Sequence, residues 1–148
     1  MPDSPQTVSL VLGSGGARGY AHAGVIRALE ERGYRIETIS GCSMGSLIGG
    51  IYAAGMLDEF VAWVRELRKR DIVKMMDPVF GWRGFLKGER VIEAMKDLIG
   101  DHRIEDLPLR YTAVATDLDA QEEVWLSRGP LFDAIRASIS IPTVFTPA

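Results

Sequence analysis

The sequence is poor in the residues from which disulfides and metal sites are built. Cys42 is its only cysteine, and two histidines occur among the 148 residues. Neither an intramolecular disulfide nor a cysteine-based zinc site can therefore form, and this usage is typical of a reducing compartment. Charge of one sign is also lacking, because 17 Lys and Arg face 20 Asp and Glu and leave a net charge of −3. We therefore expect no nucleic-acid partner, since the chain offers no basic field.

Signals for export or membrane insertion are missing as well. Residues 1–6 carry Asp3 and two prolines, whereas a secretory signal begins with basic residues followed by an apolar block. Residues 38–57 contain no charge, but only 11 of these 20 residues are apolar and five are glycine, which is too few apolar side chains for a membrane-spanning helix. We predict a cytoplasmic protein, with peripheral contact at the inner membrane face as a further hypothesis.

The composition is that of one globular domain. Hydrophobic residues make up 47% of the chain and charged residues 25%, with neither a repeat nor a low-complexity linker. We assign residues 1–6 to an N-terminal tail and residues 7–148 to the domain. Hydrophobic spacing predicts strands at 7–12, 36–40, 111–116 and 123–126, and helices at 20–32, from Gly45 to about 54, at 58–70 with Asp58 as its cap, at 89–99, and at 130–138 with Pro130 at its start. This alternation predicts an α/β fold with a mainly parallel sheet.

A serine between two glycines is the sharpest chemical signal in the chain. Gly41-x-Ser43-x-Gly45 stands between a predicted strand and a predicted helix, which is the context of a nucleophile elbow. The turn is so tight that side chains at 41 and 45 would collide with neighbouring backbone. The new helix also points its positive N-terminal end at negative charge that develops beside the serine. Ser43 is therefore the predicted nucleophile, and Gly41 and Gly45 are the elbow glycines.

A glycine-rich loop follows the first predicted strand. Over residues 13–19 its glycines allow successive backbone N–H groups to turn toward one anion, which is either a phosphate or an oxyanion. A dinucleotide fingerprint would require glycine where Arg18 stands, and no P-loop run is present. Together with Ser43, the loop is better interpreted as the oxyanion hole of an acyl transfer. A nucleotide-binding module is the alternative that this loop leaves open.

Four motifs in this order carry a family resemblance: Gly15-Gly16-Ala17-Arg18-Gly19, His22-Ala23-Gly24-Val25, Gly41-Cys42-Ser43-Met44-Gly45 and Arg136-Ala137-Ser138-x-x-x-Pro142. The chain resembles the patatin-like phospholipase family from about residue 7 to its end. In particular it is similar to the small bacterial members related to the catalytic domain of neuropathy target esterase. The resemblance implies a three-layer α/β/α domain that hydrolyses lipid acyl esters with a Ser-Asp dyad, and it implies no metal or organic cofactor. Ser43 matches the nucleophile, and Gly15, Gly16 and Arg18 match the oxyanion loop.

The chain departs from the family pattern at two points. The family's Gly-x-Gly-x-x-Gly run begins with glycine where this chain has Ser14. The family's catalytic aspartate lies in an Asp-Gly-Gly or Asp-Gly-Ala motif, and no Asp-Gly dipeptide occurs in these 148 residues. We expect that the domain is incomplete at its C-terminus and that this aspartate lies beyond Ala148. The alternative is a non-catalytic lipid-binding or regulatory protein with the same fold.

Four further residues have both a functional and a structural interpretation. Asp117 follows a predicted strand and is a candidate substitute base, although holding a loop is the favoured role for an aspartate there. His22 matches a family position that is structural, and His102 is predicted in an exposed turn rather than in a Ser-His-Asp triad. Cys42 is predicted as a small buried apolar residue.

A loop with unusually many aromatic residues precedes the helix at 89–99. Phe80, Trp82 and Phe85 lie between Lys74 and Lys87, and aromatic and basic side chains together favour lipid headgroups. An interfacial lid is one hypothesis for this loop. Packing of the same aromatic residues beneath the following helix is an equal alternative. The sequence gives no signal for oligomeric state or acyl-chain preference.

Overall fold

A computed structural model describes residues 6–67 and 89–140 of the chain. They form one four-stranded sheet in the order β1 (Thr7–Leu12), β2 (Arg35–Cys42), β3 (Arg110–Asp117) and β4 (Glu122–Leu126). The first three strands are parallel, and β4 runs antiparallel to β3. The predicted α/β fold with a mainly parallel sheet is confirmed. The proposed lid at residues 80–85 and Pro142 lie outside the described residues.

Five helices connect or flank these strands: α1 (Ala21–Glu31), α2 (Met44–Ala53), α3 (Leu57–Glu66), α4 (Glu89–Ile99) and α5 (Leu131–Ile139). Short 3₁₀ helices at Gly16–Tyr20 and Ile104–Asp106 precede α1 and β3. The helix predicted at 58–70 begins at Leu57, and Met56 rather than Asp58 occupies its N-cap position. That capping prediction is wrong because the Asp58 carboxylate is one residue inside the helix and binds Arg27.

The core lies between one face of the sheet and the helices. α2 is apolar nearly all round and packs on β1, β2 and β3, with α5 beside it on β3. A helix with so little polar surface is stable only when it is buried. The side chains with no exposed surface come from both layers and include Ile39, Ile48, Ile51, Phe132 and Ile135.

The other face of the sheet is open in the part of the chain that the structure describes. Val11 is 85% exposed and Trp125 is 62% exposed, and both belong to the face opposite Leu12 and Ala113. One helical layer therefore accompanies the sheet within residues 6–67 and 89–140, and the third layer implied by the resemblance stays a prediction. Among these residues no helix is both long and apolar enough to span a bilayer.

Candidate active site

Ser43 lies at the sharp turn from β2 into α2. Its backbone has φ 54° and ψ −119°, a conformation that residues with a side chain rarely adopt. Such a conformation costs on the order of 1–3 kcal/mol and persists only where the surrounding structure enforces it. The predicted strand-turn-helix context of a nucleophile elbow is present, with the serine at the carboxyl end of a parallel strand.

The two elbow glycines allow a close backbone approach. A Cβ on Gly41 would overlap the carbonyl oxygen of Gly45, and a Cβ on Gly45 would overlap the carbonyl oxygen of Leu12 at the end of β1. In both cases the obstacle is backbone, which cannot move aside as a flexible side chain can. The start of α2 is therefore pressed against β1, and only glycine at both positions permits this.

The N–H of Ser43 is held by a residue to which we gave no role in the sequence. It donates to Oγ of Ser138 over 2.8 Å, and the Ser138 hydroxyl donates in turn to the carbonyl oxygen of Val114 over 2.6 Å. Ser138 lies near the end of α5 and Val114 lies in β3. The Ala137-Ser138-x-x-x-Pro142 motif marks Ser138 in the sequence. The motif does not indicate which residue Ser138 contacts.

The first turn of α2 has its own anchors. The hydroxyl of Ser46 donates to the carbonyl oxygen of Ser43 over 2.8 Å, and the carbonyl oxygen of Ser46 accepts from Tyr111 Oη over 2.8 Å. Burial raises the pKa of Tyr111, so this phenol stays protonated and acts as the donor. This hydrogen bond from Tyr111 therefore links β3 to the first turn of α2.

The glycine loop lies between β1 and α1 and packs against the residue after the nucleophile. Gly15 has φ 153° and Gly16 has φ 51°, both in the region that favours glycine. A Cβ on Gly19 would overlap the side chain of Met44. The loop is therefore packed directly beside the elbow, as an oxyanion loop requires.

The amides of this loop are not equivalent. Arg18 donates its N–H to the carbonyl oxygen of Gly15 over 3.0 Å, so its amide is already used inside the 3₁₀ turn. The Gly15 amide precedes the 3₁₀ helix and the Gly16 amide lies at its start, and both are the loop donors predicted for the oxyanion. Their role, and that of the Arg18 side chain, stays a prediction.

A cavity of about 240 Å³ opens beside the elbow. Ser14, Ser43, Ser138 and Ser140 contribute polar atoms to its wall, and Leu118 contributes apolar surface. Ser14 stands where the family pattern has glycine, and it lines the same cavity as the predicted nucleophile. The arrangement offers a hydroxyl, a nearby helix N-terminus and a space for a reacting group.

Cys42 does not behave as predicted. It is exposed and lines the cavity beside Ser43, so its assignment as a buried apolar residue is wrong. The reason is strand alternation, because successive side chains in β2 point to opposite faces. Gly41 faces the helices, so Cys42 faces away from them.

The other candidates have structural roles. Oδ1 of Asp117 accepts hydrogen bonds from the N–H groups of Asp119 and Ala120, each at 3.0 Å, and so holds the turn into β4. Nε2 of His22 lies 2.9 Å from the carbonyl oxygen of Gly13, which can only accept, so this nitrogen carries the proton and fixes the start of the glycine loop.

His102 lies far from the elbow. Its carbonyl accepts from the N–H of Leu131 at the start of α5, whereas Ser138 near the end of that helix contacts Ser43. Seven residues of helix separate the two ends by roughly 10 Å. The side chain is half-buried rather than in an exposed turn, and its Nε2 lies 2.9 Å from the carbonyl oxygen of Ile99. The structure therefore does not bring His102 and Ser43 together.

Comparisons with known proteins show the family of the chain. The family model for patatin-like phospholipase matches residues 10–148. The chain belongs to the patatin-like phospholipase family. An uncharacterized NTE family protein of Mycobacterium tuberculosis is 55% identical over 144 residues, which are 97% of this chain and 40% of that protein.

More distant relatives cover the same part of the chain. A patatin-like phospholipase domain-containing protein of Caenorhabditis elegans is 37% identical over 95% of this chain and 11% of its own length. Lysophospholipase NTE1 of Saccharomyces cerevisiae is 33% identical over 97% of this chain and 9% of its own length. The chain thus spans well under half of the curated relatives that it matches.

Proposed function

We propose that this patatin-like chain carries the nucleophile and the oxyanion loop of a serine hydrolase that cleaves fatty-acyl esters of phospholipids or lysophospholipids. The observation that carries the proposal is the backbone of Ser43, with φ 54° and ψ −119° between β2 and α2, next to an open cavity. Strain of this kind is retained where it serves a site. Ser43 Oγ gives its proton to the general base and attacks the acyl carbonyl carbon, the C–O bond to the alcohol breaks, and the alcohol leaves with that proton. Water then hydrolyses the acyl-serine ester and frees the fatty acid.

The negative charge on the attacked oxygen needs donors close to Ser43. The Met44 amide begins α2, where the first N–H groups of a helix have no partner within it. The amides of Gly15 and Gly16 are the further donors that we assign to the oxyanion, and the same loop packs on Met44 through Gly19. The Ser43 amide is already donated to Ser138, so it takes no part. Loss of one such donor typically lowers kcat by about 10²–10³-fold.

The proposed Ser-Asp dyad requires an aspartate as general base, and residues 1–148 contain no Asp-Gly dipeptide of the family's motif. Asp117 is the candidate substitute base, and its Oδ1 accepts hydrogen bonds from two backbone amides of its own turn. Loss of a general base costs about 10²–10⁴-fold, so residues 1–148 alone should turn over little substrate.

The lipid substrate class rests on the family and on the names of relatives. The family model is described as patatin-like phospholipase, and the yeast relative is named a lysophospholipase. An acyl ester fits the site because its carbonyl is the group that a serine nucleophile and an oxyanion loop act on together.

The test compares the protein extended past Ala148 with its Ser43→Ala form. Short-chain p-nitrophenyl esters and lysophospholipid are the substrates, and Ser9→Ala, an exposed serine on β1, is the matched control. We expect Ser43→Ala to abolish ester cleavage and Ser9→Ala to retain the wild-type rate. Equal rates for Ser43→Ala and wild type would refute Ser43 as nucleophile. Lysophospholipid binding without turnover in all forms would support the non-catalytic alternative.

A further inference from the structure

We propose that Ser138 is a positioning residue for Ser43, and that its hydroxyl fixes the peptide group that precedes the nucleophile. The contact joins residues 95 positions apart, with 2.8 Å between the Ser43 nitrogen and Ser138 Oγ. The inference rests on the proposed function, because positioning of Ser43 affects a rate only if Ser43 attacks a substrate.

The direction of each hydrogen bond is fixed by chemistry. A backbone carbonyl can only accept, so the 2.6 Å contact between Ser138 Oγ and the Val114 oxygen uses the single proton of the Ser138 hydroxyl. The lone pairs of the same oxygen then face the N–H of Ser43. Ser138 is therefore committed to the backbone on both sides and acts through Ser43 rather than on a substrate.

The two backbone groups of Ser43 are held by different parts of the molecule. Its carbonyl oxygen accepts from the amides of Ser46 and Leu47 and from the Ser46 hydroxyl, all within the first turns of α2. Its N–H is held from α5 through Ser138. The Ser138 hydroxyl thus acts as a tether between the Ser43 N–H and the Val114 carbonyl of β3, and it is held by α5.

This tether matters because the elbow conformation is unfavourable for serine by itself. If the peptide between Cys42 and Ser43 rotates, both the Ser43 hydroxyl and the start of α2 turn with it. The attacking oxygen then leaves its alignment with the oxyanion donors, while most of the cavity wall remains. Loss of the tether should consequently lower kcat and leave KM nearly unchanged.

The kinetic test uses the protein extended past Ala148 with Ser138→Ala, Ser138→Thr and Ser138→Cys. We expect Ser138→Ala to lower kcat by about 10- to 100-fold at nearly constant KM, because misplacement of a reacting group by about 1 Å has effects of this size. Ser138→Thr keeps the hydroxyl and should restore kcat to within a few fold. Ser138→Cys replaces the hydroxyl by a slightly larger thiol, which is a weaker donor and acceptor, and its kcat should fall between those of Ser138→Ala and Ser138→Thr.

Tyr111→Phe is the matched control for a merely structural loss. It also removes a hydroxyl that donates to a carbonyl oxygen and ties α2 to β3, but its partner is Ser46 rather than Ser43. We expect a lower Tm with kcat near wild type. If Tyr111→Phe and Ser138→Ala lose kcat and Tm in the same proportion, or if Ser138→Ala has wild-type kcat, the positioning role is refuted.

Hydrogen exchange separates this inference from the proposed function. Mass spectrometry of the peptide that contains Ser43 should report faster amide exchange in Ser138→Ala than in wild type or Ser138→Thr, whether or not the protein is an esterase. An inactive wild type would overturn the proposed function and leave the exchange measurement to decide the tether. Unchanged exchange in Ser138→Ala would overturn the tether itself.

Discussion

The two ends of the parallel strands differ in backbone conformation and in the size of the adjacent cavities. At the carboxyl ends of β1 and β2 lie the glycine loop, the strained Ser43 and the closest backbone approaches. At the amino ends of β2 and β3 lie exposed ion pairs, such as Arg35 with Glu37, and larger cavities of up to about 480 Å³. The cavity of about 480 Å³ is lined by Arg35, Glu37 and Arg110, among others, and none of these three residues has a positive φ.

The comparison shows that the strained backbone and the close backbone approaches lie at one edge of the sheet, whereas the larger cavities lie at the other. Open α/β sheets bind ligands outside the carboxyl ends of their strands, because helix N-termini and loop amides converge there. The cavity beside Ser43 is about 240 Å³, half the size of its largest counterpart at the other edge. Cavity volume and backbone strain therefore favour opposite edges of the sheet, and the proposed nucleophile lies at the strained edge.

The largest expected effect compares one glycine at each edge. Gly45→Ala should destabilise the protein by about 3 kcal/mol or more, because the new Cβ would overlap backbone atoms of β1 that cannot yield. Gly33→Ala, in the turn before β2, meets no atom within 4 Å and should cost only about 1–2 kcal/mol for its φ of 81°. Urea unfolding of the two variants measures this difference.

Both variants replace glycine by alanine, so the two substitutions lower the conformational entropy of the unfolded chain by a similar amount. Equal losses of stability would mean that the approach of α2 to β1 relaxes easily. In that case the backbone at the carboxyl edge would not be more closely packed than the backbone at the amino edge. The argument that position 41 requires glycine would then fail together with the argument for position 45.

A smaller effect should appear at the nucleophile itself. Ser43→Gly releases the strain of the positive φ, whereas Ser43→Ala retains it. We expect Ser43→Gly to be more stable than Ser43→Ala by about 1 kcal/mol, with both variants inactive. Thermal unfolding of the pair measures the difference. A lower stability for Ser43→Gly would show that the strain released is smaller than the loss from the added backbone freedom of glycine in the unfolded chain.

The features that local rules determine were predictable from the sequence. The strand at Thr7–Leu12 and the helix at Glu89–Ile99 follow from hydrophobic spacing, and the elbow follows from the two glycines around Ser43. In each case the residues that set the structure lie within a few positions of one another. The neighbouring backbone dictates such features before any tertiary contact forms.

The rest depended on contacts between distant parts of the chain. Ser138 reaches Ser43 across 95 residues, and no local pattern encodes that distance. Asp58 resembles a helix cap in sequence, but its partner is Arg27, 31 residues away. Cys42 was assigned by residue type, which says less about burial than the strand face on which the residue lies.

The smallest predicted effect lies at the amino edge and depends on pH. Hydrogen bonds from backbone amides, including that of Gly129, and from the Arg103 side chain lower the pKa of Glu105 from 4.5 to about 2. A carboxylate with a lowered pKa stabilises the fold above its unfolded pKa and loses this contribution as the pH falls from about 4.5 toward 2. Glu105→Gln should therefore lower Tm at pH 7, by at most a few degrees because the group is exposed, and the difference should close near pH 2–3.

The matched control for this pH dependence is Glu37→Gln. Its carboxylate binds Arg35 across an exposed strand end, and such pairs contribute little to stability. We expect its Tm at pH 7 to stay near the wild-type value. Calorimetric scans of the three proteins between pH 2 and pH 7 would measure this, and a Glu105→Gln gap that persists at low pH would assign the effect to side-chain packing rather than charge. Such a result would mean that backbone hydrogen bonds to the Glu105 carboxylate do not stabilise the amino edge. The elbow would then differ from the amino edge in this respect as well.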